Sequence, residues 1–242
     1  MIFDPFGDCD AAGYLQNTLH LKESAEIKKS EHLSFELSIE DALSYLAQTK
    51  HINYSSVLKV HEILFSDFYP WAGKDRNELV PHLAVFKGSE KNSRHTVFER
   101  PDSIRLAVDY ALRLAVDKER FRERPGEVMG LLAFAHPFLD GNGRTILLVF
   151  IELSFRAGFT INWPESNKND YLQALTDEIN APSQRHLDHY LQPFVVDISS
   201  RDDWPTIIGG IKGLDGLDKE NISYGSLDDP EIQKIYMTHR GK

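Results

Sequence analysis

Apolar residues recur at helical spacing along most of this chain. One apolar run follows Ser38 and another follows Asn53 or Ser55, and these residue types often cap the first turn of a helix. The apolar positions follow a helical period rather than strict alternation, which predicts two helices. They are Ala42, Leu43, Tyr45 and Leu46 in the first run, and Val57, Leu58, Ile63 and Leu64 in the second.

Two prolines mark the starts of further helices. Pro101 and Pro125 suit the first helical turn, where the missing N–H costs nothing. The helix after Pro125 is apolar nearly all round, so we expect it to be buried. It should end at His136, because Pro137 disfavours the helical conformation in the residue before it. Further helices are expected after Arg144 and over 171–179 and 187–195.

Residues 74–100 differ from these helical segments. Two short β-prone pieces, Leu79–Val80 and His95–Phe98, flank a polar turn, which predicts a hairpin or flap. Just before it, Gly73 ends a tight corner and is free to take a positive φ.

These elements predict an all-α fold with a small β-hairpin. We expect an N-terminal helical extension over 1–50, a core over 51–195 and a C-terminal extension over 196–242. Five of the fifteen glycines lie between Gly209 and Gly225, so we expect this last extension to be loosely structured.

Charge and composition narrow the class of protein. The chain has 242 residues, a net charge of −10 and one cysteine, Cys9, so an internal disulfide cannot form. An acidic protein is a poor general nucleic-acid binder, and no apolar run approaches the ~20 residues that span a bilayer. The N-terminus has neither the basic start nor the apolar stretch of a secretory signal. We therefore expect a cytoplasmic protein with no nucleic-acid or membrane partner.

The nine residues HPFLDGNGR, from His136 to Arg144, carry the polar chemistry. Gly141 and Gly143 allow successive N–H groups to face one concavity at the start of a helix, which makes an anion site. Asn142 adds an uncharged donor, and Arg144 offers a planar fork that suits phosphate oxygens.

A base and a metal ligand accompany this anion site. Asp140 would repel a phosphate unless a divalent cation bridged them, so we interpret it as a Mg²⁺ ligand. His136 can accept a proton from a hydroxyl at neutral pH. Phe138 can anchor the loop by burying its ring. Together these residues indicate phosphoryl or nucleotidyl transfer.

This loop resembles the signature of the Fic family, H-P/x-F-x-D/E-G-N-G-R-x-x-R, and within its nine residues only Leu139 occupies a free position. YPWAG at 69–73 and FRAGFTINW at 155–163 are also similar to family segments, and the resemblance covers roughly residues 50–195. The opening FDPFGDCDAAGYLQN looks like the leader of some stand-alone bacterial members.

The resemblance implies a helical fold with a flap over the active site, and transfer of AMP from ATP to a Tyr, Ser or Thr hydroxyl of a target protein. Pyrophosphate would be released. It implies that His136 is the general base, that Asp140 holds Mg²⁺, and that Asn142 with the amides around Gly141 and Gly143 binds phosphate oxygens.

Further roles follow from the same resemblance. Arg144 would reach the β-phosphate, Tyr171 would lie near the adenosine, and Phe138 belongs to the nucleotide-binding set. The target protein would pair with the flap at His95, Thr96, Val97 and Phe98. A homo-oligomer and secretion as an effector of a bacterium are left open.

The sequence departs from the family pattern at one position. Leu147 stands where many members have a second arginine, the partner of an inhibitory glutamate, and the S/T-x-x-x-E-G/N motif of that glutamate is absent. We therefore expect no glutamate-type autoinhibition, with a separate small antitoxin as one alternative mode of control.

Other readings stay open. The donor could be UTP or a CDP-alcohol, giving UMP or phosphocholine transfer, or the domain could bind nucleotide without catalysis. We interpret His186 and His189 as a solvated helix face, because no third metal ligand accompanies them. His61-Glu62 is half of a zinc-protease motif, but Phe65 replaces the second histidine.

Overall fold

The computed structural model of the protein describes residues 15–87, 96–198, 200–211, 214 and 222–240. Within these residues, no helix combines the length and the apolar character that a membrane span requires. The helices are α1 (Ser24–Gln48), α2 (Tyr54–Phe65), α3 (Arg76–Leu79), α4 (Ile104–Leu114), α5 (Lys118–Glu123), α6 (Pro125–Ala135), α7 (Asn142–Ala157), α8 (Lys168–Asn180), α9 (His186–Leu191), α10 (Trp204–Gly209) and α11 (Pro230–Arg240). The strands are β1 (Leu83–Lys87), β2 (Thr96–Val97), β3 (Phe159–Ile161), β4 (Val195–Asp197) and β5 (Ile222–Ser226).

Helices form most of the fold, which confirms the predicted all-α class with small sheets. Asn53 caps α2: its side chain accepts the Ser56 N–H, and the Ser56 hydroxyl accepts the Asn53 N–H. Ser38 lies inside α1 rather than at its start, so the predicted cap there is wrong. The helix begins 14 residues earlier, at Ser24, because its apolar face continues back to Ile27 and packs on the core.

The apolar core holds the two helices that flank the nine-residue loop. Helix α6 is buried on most sides, as its sequence predicts, and α7 buries almost every residue of its first three turns. Helix α1 packs across both α2 and α7. The loop between α6 and α7 is therefore held from several directions by packed helices.

A three-stranded sheet lies beside this loop, in the order β2-β1-β5. Strand β1 pairs antiparallel with β2 through Phe86 opposite Val97, as a flap should, although Leu79–Val80 ends helix α3 instead of forming a strand. The other edge of β1 pairs along the whole length of the strand with β5, where Val85 lies opposite Tyr224.

The part of residues 196–242 that the structure describes has regular elements, contrary to the loose structure expected there. Strand β5 completes the flap sheet, and α11 covers that sheet with an apolar face. The glycines in this stretch do not prevent it: Gly225 lies within β5, where its backbone passes close to Ile232 of α11. The residues of this small second core are Ala84, Val97, Ile232 and Tyr236.

Candidate active site

His136 lies at the point where α6 stops. Its backbone takes the left-handed conformation, with φ 42° and ψ 59°, which ends the helix at Ala135 as the following proline predicts. The imidazole is buried and stacks on Phe98, with ring centroids 3.9 Å apart. The flap therefore forms one wall of the imidazole's position.

Asn142 closes the loop between the two helices on itself. Its side-chain oxygen accepts the Phe138 N–H at 2.9 Å, and its Nδ2 donates to the Phe138 carbonyl at 2.7 Å. The same Nδ2 lies 3.1 Å from Nε2 of His136. Since Nδ2 is a donor, this network assigns Nε2 as the unprotonated nitrogen. The imidazole thus presents its lone pair on the nitrogen that faces Asn142.

Gly141 and Gly143 differ in what surrounds them. Gly141 has φ +74°, and a Cβ there would meet Phe65 at 2.5 Å, so glycine is required by both backbone and packing. Gly143 is exposed, and no atom of the residues that the structure describes lies within 4 Å of where its Cβ would be. The N-terminus of α7 therefore opens onto free space, and Gly141 supplies no side chain to cap its amides.

Asp140 adds a carboxylate beside that opening. One of its oxygens accepts the Gly141 N–H at 2.6 Å, and its side chain is half-buried, whereas the other loop residues except Gly143 are buried. One carboxylate beside an open helix N-terminus fits the way Mg²⁺ binds, through one or two carboxylates plus substrate phosphates. The described residues hold no group of three or more His, Cys, Asp or Glu that would make an all-protein metal cage.

His61 in α2 contacts the loop between α6 and α7 and holds it in place, a role that the sequence did not indicate. Its Nδ1 accepts the Gly73 N–H at 2.9 Å, so Nε2 carries the proton and donates to the Asp140 carbonyl at 3.1 Å. Its ring stacks on Phe138 with centroids 3.8 Å apart. Burial lowers the pKa of His61 to about 3, which keeps the ring neutral. Phe138 is fully buried against it, in agreement with its predicted anchoring.

Arg144 points into the protein rather than toward the opening. Its Nη2 lies 2.6 Å from Oε1 of Glu31 in α1, so the two side chains form a buried ion pair. The Phe35 and Phe65 rings flank the guanidinium. Burial is the largest single influence and acts to lower the pKa of Arg144, but Glu31, Asp140 and Tyr69 together outweigh it and the pKa is raised. The role expected for Arg144 on a β-phosphate stays a prediction.

Arg76 is another polar residue that the sequence analysis missed. It is fully buried, and its side chain donates to the carbonyls of His136, at 2.7 Å, and Glu99, at 2.7 Å. Burial lowers the pKa of Arg76 to about 10, so it remains charged at neutral pH. A charged residue three positions after the Gly73 corner gave no signal of burial in the sequence, since arginine is seldom fully buried.

The other residues that the sequence analysis named are packed elsewhere, buried or outside the described residues. Tyr171 packs edge-on against Trp163 in an aromatic cluster, with ring centroids 5.6 Å apart. Thr96 and Val97 of the flap are buried, and the Thr96 hydroxyl accepts from Asn180. His95 lies outside the described residues. Leu147 lies in α7 and is buried in the core.

Fold and site together define a helical protein in which an open helix N-terminus lies next to a histidine and a carboxylate. Residues 51–154 match the model of the Fic/DOC family. The chain thus carries a Fic/DOC domain, as the loop HPFLDGNGR predicts.

Relatives with curated names agree with this family. Protein adenylyltransferase VbhT of Bartonella schoenbuchensis is 31% identical over 211 residues, which cover 81% of this chain and 41% of VbhT. The probable protein adenylyltransferase y4lH of Sinorhizobium fredii is 25% identical over 165 residues, covering 66% of this chain and 81% of y4lH. The chain thus spans less than half the length of VbhT.

Solved structures share the fold. The BepC protein of Bartonella tribocorum, a VirB-translocated effector crystallised with AMPPNP, superposes with a TM-score of 0.62 at 16% identity, covering 78% of this chain and 95% of that one. The N-terminal Fic domain of a VirB-translocated Bep effector of Bartonella quintana, with bound ADP, gives 0.61 at 17% identity, covering 77% and 92%.

Proposed function

We propose that the protein transfers AMP from ATP to a hydroxyl of a target protein. The observation that carries the proposal is the open N-terminus of α7 at Gly143, with Asp140 beside it and Nε2 of His136 facing the same loop. The names of the curated relatives and the nucleotides in the similar structures support it, since ATP analogues and ADP are ligands of those proteins.

The open helix N-terminus would receive the phosphates. The first-turn amides of α7 point into this space, and the helix dipole favours negative charge there by roughly 0.3–1 kcal/mol. Asp140 would hold Mg²⁺ against the phosphates, and the bound ion would neutralise part of their charge. Asp140 and Gly143 are the two residues of this loop that are not buried, so the triphosphate would enter from their side.

His136 would then act as the base. Its Nε2 lone pair is occupied by the Asn142 amide at 3.1 Å, so an incoming hydroxyl would replace Asn142 as the hydrogen-bond donor to this nitrogen. The proton would pass to Nε2, the hydroxyl oxygen would bond to the α-phosphorus, and pyrophosphate would leave. Asn142 would keep its bond to the Phe138 carbonyl throughout, so the loop would hold its shape.

The target protein must approach beside the flap. Thr96, Val97 and Phe98 are buried, and the other edge of β1 is paired with β5, so the described flap offers little free strand. Pairing of a target with residues 95–98 therefore stays a prediction, and we propose that the target's hydroxyl enters at the exposed side of the loop.

The test is labelling with ATP that carries the label on the α-phosphate or on the γ-phosphate. We expect label from the α position alone on protein, and its loss in His136→Ala. His189→Ala is the matched control, because His189 is exposed on α9 and should leave labelling unchanged. Label from the γ position would contradict AMP transfer, and so would equal labelling by the His136→Ala variant.

A further inference from the structure

Arg76 connects three segments that surround His136. Its backbone N–H donates to the Pro137 carbonyl at 2.8 Å, and its Nε donates to the His136 carbonyl at 2.7 Å. Its Nη2 donates to the Glu99 carbonyl at 2.7 Å and lies 3.4 Å from the Ala135 carbonyl. One side chain thus holds the end of α6, the residue after it and the segment that follows β2.

The end of α6 needs such a donor. The last carbonyls of a helix have no partner within the helix, and His136 is not a glycine although it adopts the left-handed conformation. The Arg76 guanidinium supplies donors to two of these carbonyls, and its positive charge suits the negative end of the helix dipole. A left-handed histidine can persist here because its surroundings hold it in place.

The Arg76 guanidinium also holds the backbone next to Phe98, the residue on which the His136 imidazole stacks. Phe98 lies 3.9 Å from the His136 ring, and the Glu99 carbonyl beside it accepts from Arg76. The Glu99 N–H donates in turn to the Phe134 carbonyl of α6 at 2.9 Å. The backbone at His136 and the backbone next to Phe98 are therefore both hydrogen-bonded to the planar guanidinium of Arg76.

We propose that Arg76 is a positioning residue that orients the His136 imidazole for proton transfer. Arg76 acts through the His136 backbone and through Phe98, without touching the nucleotide. The proposal rests on the proposed function, because orientation matters only where His136 accepts a proton. Its physical basis is that a displacement of about 1 Å at a reacting group costs up to about 100-fold in rate.

The test compares Arg76→Lys with Arg156→Lys. Arg156 is a matched control because its Nη2 likewise donates to two helix-end carbonyls, those of Leu46 and Thr49 at the end of α1, each at 2.7 Å. Lysine keeps the charge, but its three N–H donors sit on one nitrogen, so it cannot reproduce the spaced planar donors with which Arg76 binds the His136 and Glu99 carbonyls. Both variants should lose thermal stability. We expect only Arg76→Lys to lower kcat, by about 10- to 100-fold, with the KM for ATP changed less than threefold.

A second measurement does not depend on activity. The stack on Phe98 shifts the ring-proton NMR signals of His136, and we expect this shift to diminish in Arg76→Lys and to persist in Arg156→Lys. In the unaltered protein, the Arg76 Nε–H should exchange with solvent at least 100-fold more slowly than that of Arg105, whose side chain is 75% exposed. This last measurement holds even where a variant fails to fold.

The outcomes separate the two proposals. Unchanged kcat and an unchanged His136 ring shift in folded Arg76→Lys would overturn the positioning role, and so would fast exchange of the Arg76 Nε–H. If the unaltered protein transfers no AMP, the proposed function fails, while the ring shift and the exchange rate still report whether Arg76 holds His136.

Discussion

Replacing Glu31 by glutamine tests whether Arg144 stabilises the fold through its ion pair with Glu31 or binds the phosphates of a nucleotide. The exposed fractions of the two side chains are 4% for Glu31 and 8% for Arg144, and the two charged atoms are 2.6 Å apart. Glutamine keeps the size of the side chain and removes its charge. The variant therefore leaves Arg144 as a buried cation without its counter-ion, with Nη1 already lacking a hydrogen-bond partner among the described residues.

The expected cost is large for a single substitution. At 2.6 Å and an effective dielectric constant of about 20, the attraction between the charges is about 6 kcal/mol. Desolvation of both ions offsets part of this, and breaking a buried pair by removing one partner costs about 3–5 kcal/mol. For a chain of this size that corresponds to a fall in Tm of about 6–20 °C.

Urea unfolding of Glu31→Gln and of Glu36→Gln measures this cost. Glu36 is the matched control: it lies on the same helix, is 53% exposed and pairs with His32 at 3.3 Å, so its loss should cost less than about 1 kcal/mol. A loss below about 1 kcal/mol for Glu31→Gln would refute the reasoning. A tighter Kd for ATP in Glu31→Gln would show that Arg144, once released, can reach the phosphates.

Three further predictions concern the loop and a buried carboxylate. Gly141→Ala should lose about 2 kcal/mol or more in urea unfolding, because its Cβ meets Phe65 and its φ is +74°. Gly143→Ala should keep full stability but bind ATP at least 10-fold more weakly by calorimetry, because its Cβ enters the open space that we assign to phosphate. Burial raises the pKa of Glu178, so its ionised form opposes folding above the ordinary carboxyl pKa of ~4.3; Glu178→Gln should raise stability at pH 7, with the gain absent at pH 4.

Each of these has a contrary result. Equal stability of the two alanine variants would show that the loop backbone tolerates Gly141 substitution, and unchanged ATP binding by Gly143→Ala would place the phosphates elsewhere. A gain in Glu178→Gln that persists at pH 4 would mean that charge burial is not its cause, because the unaltered carboxyl is protonated there.

The features predicted well from the sequence are those set by a few neighbouring residues. The end of α6 at His136 follows from Pro137, and the positive φ of Gly73 and the cap at Asn53 follow from local turn chemistry. The loop between α6 and α7 carries its pattern within nine residues, so the positive φ of Gly141 and the burial of Phe138 could be expected, whereas Gly143 is helical.

The features that were missed depend on packing between distant segments. His61 reaches Asp140 across 79 positions of the chain, and Arg76 reaches His136 across 60. Glu31 meets Arg144 only because α1 crosses α7. No local pattern distinguishes these three polar residues from surface ones, since burial is decided by which helices meet. The strand β5 was missed for the same reason: its partner is the flap, far earlier in the chain.

The pairing of β1 with β5 has a consequence for synthesis on the ribosome. Among the described residues, strand β1 shares a two-residue ladder with β2, and a single two-stranded hairpin is marginal alone in water. Residues 222–226 must leave the exit tunnel before β1 gains its longer ladder and the Tyr224 hydroxyl can bond the Leu139 carbonyl. The loop from His136 to Arg144 is therefore synthesised long before the sheet beside it can form completely. Full assembly of the site must wait until most of the polypeptide has been translated.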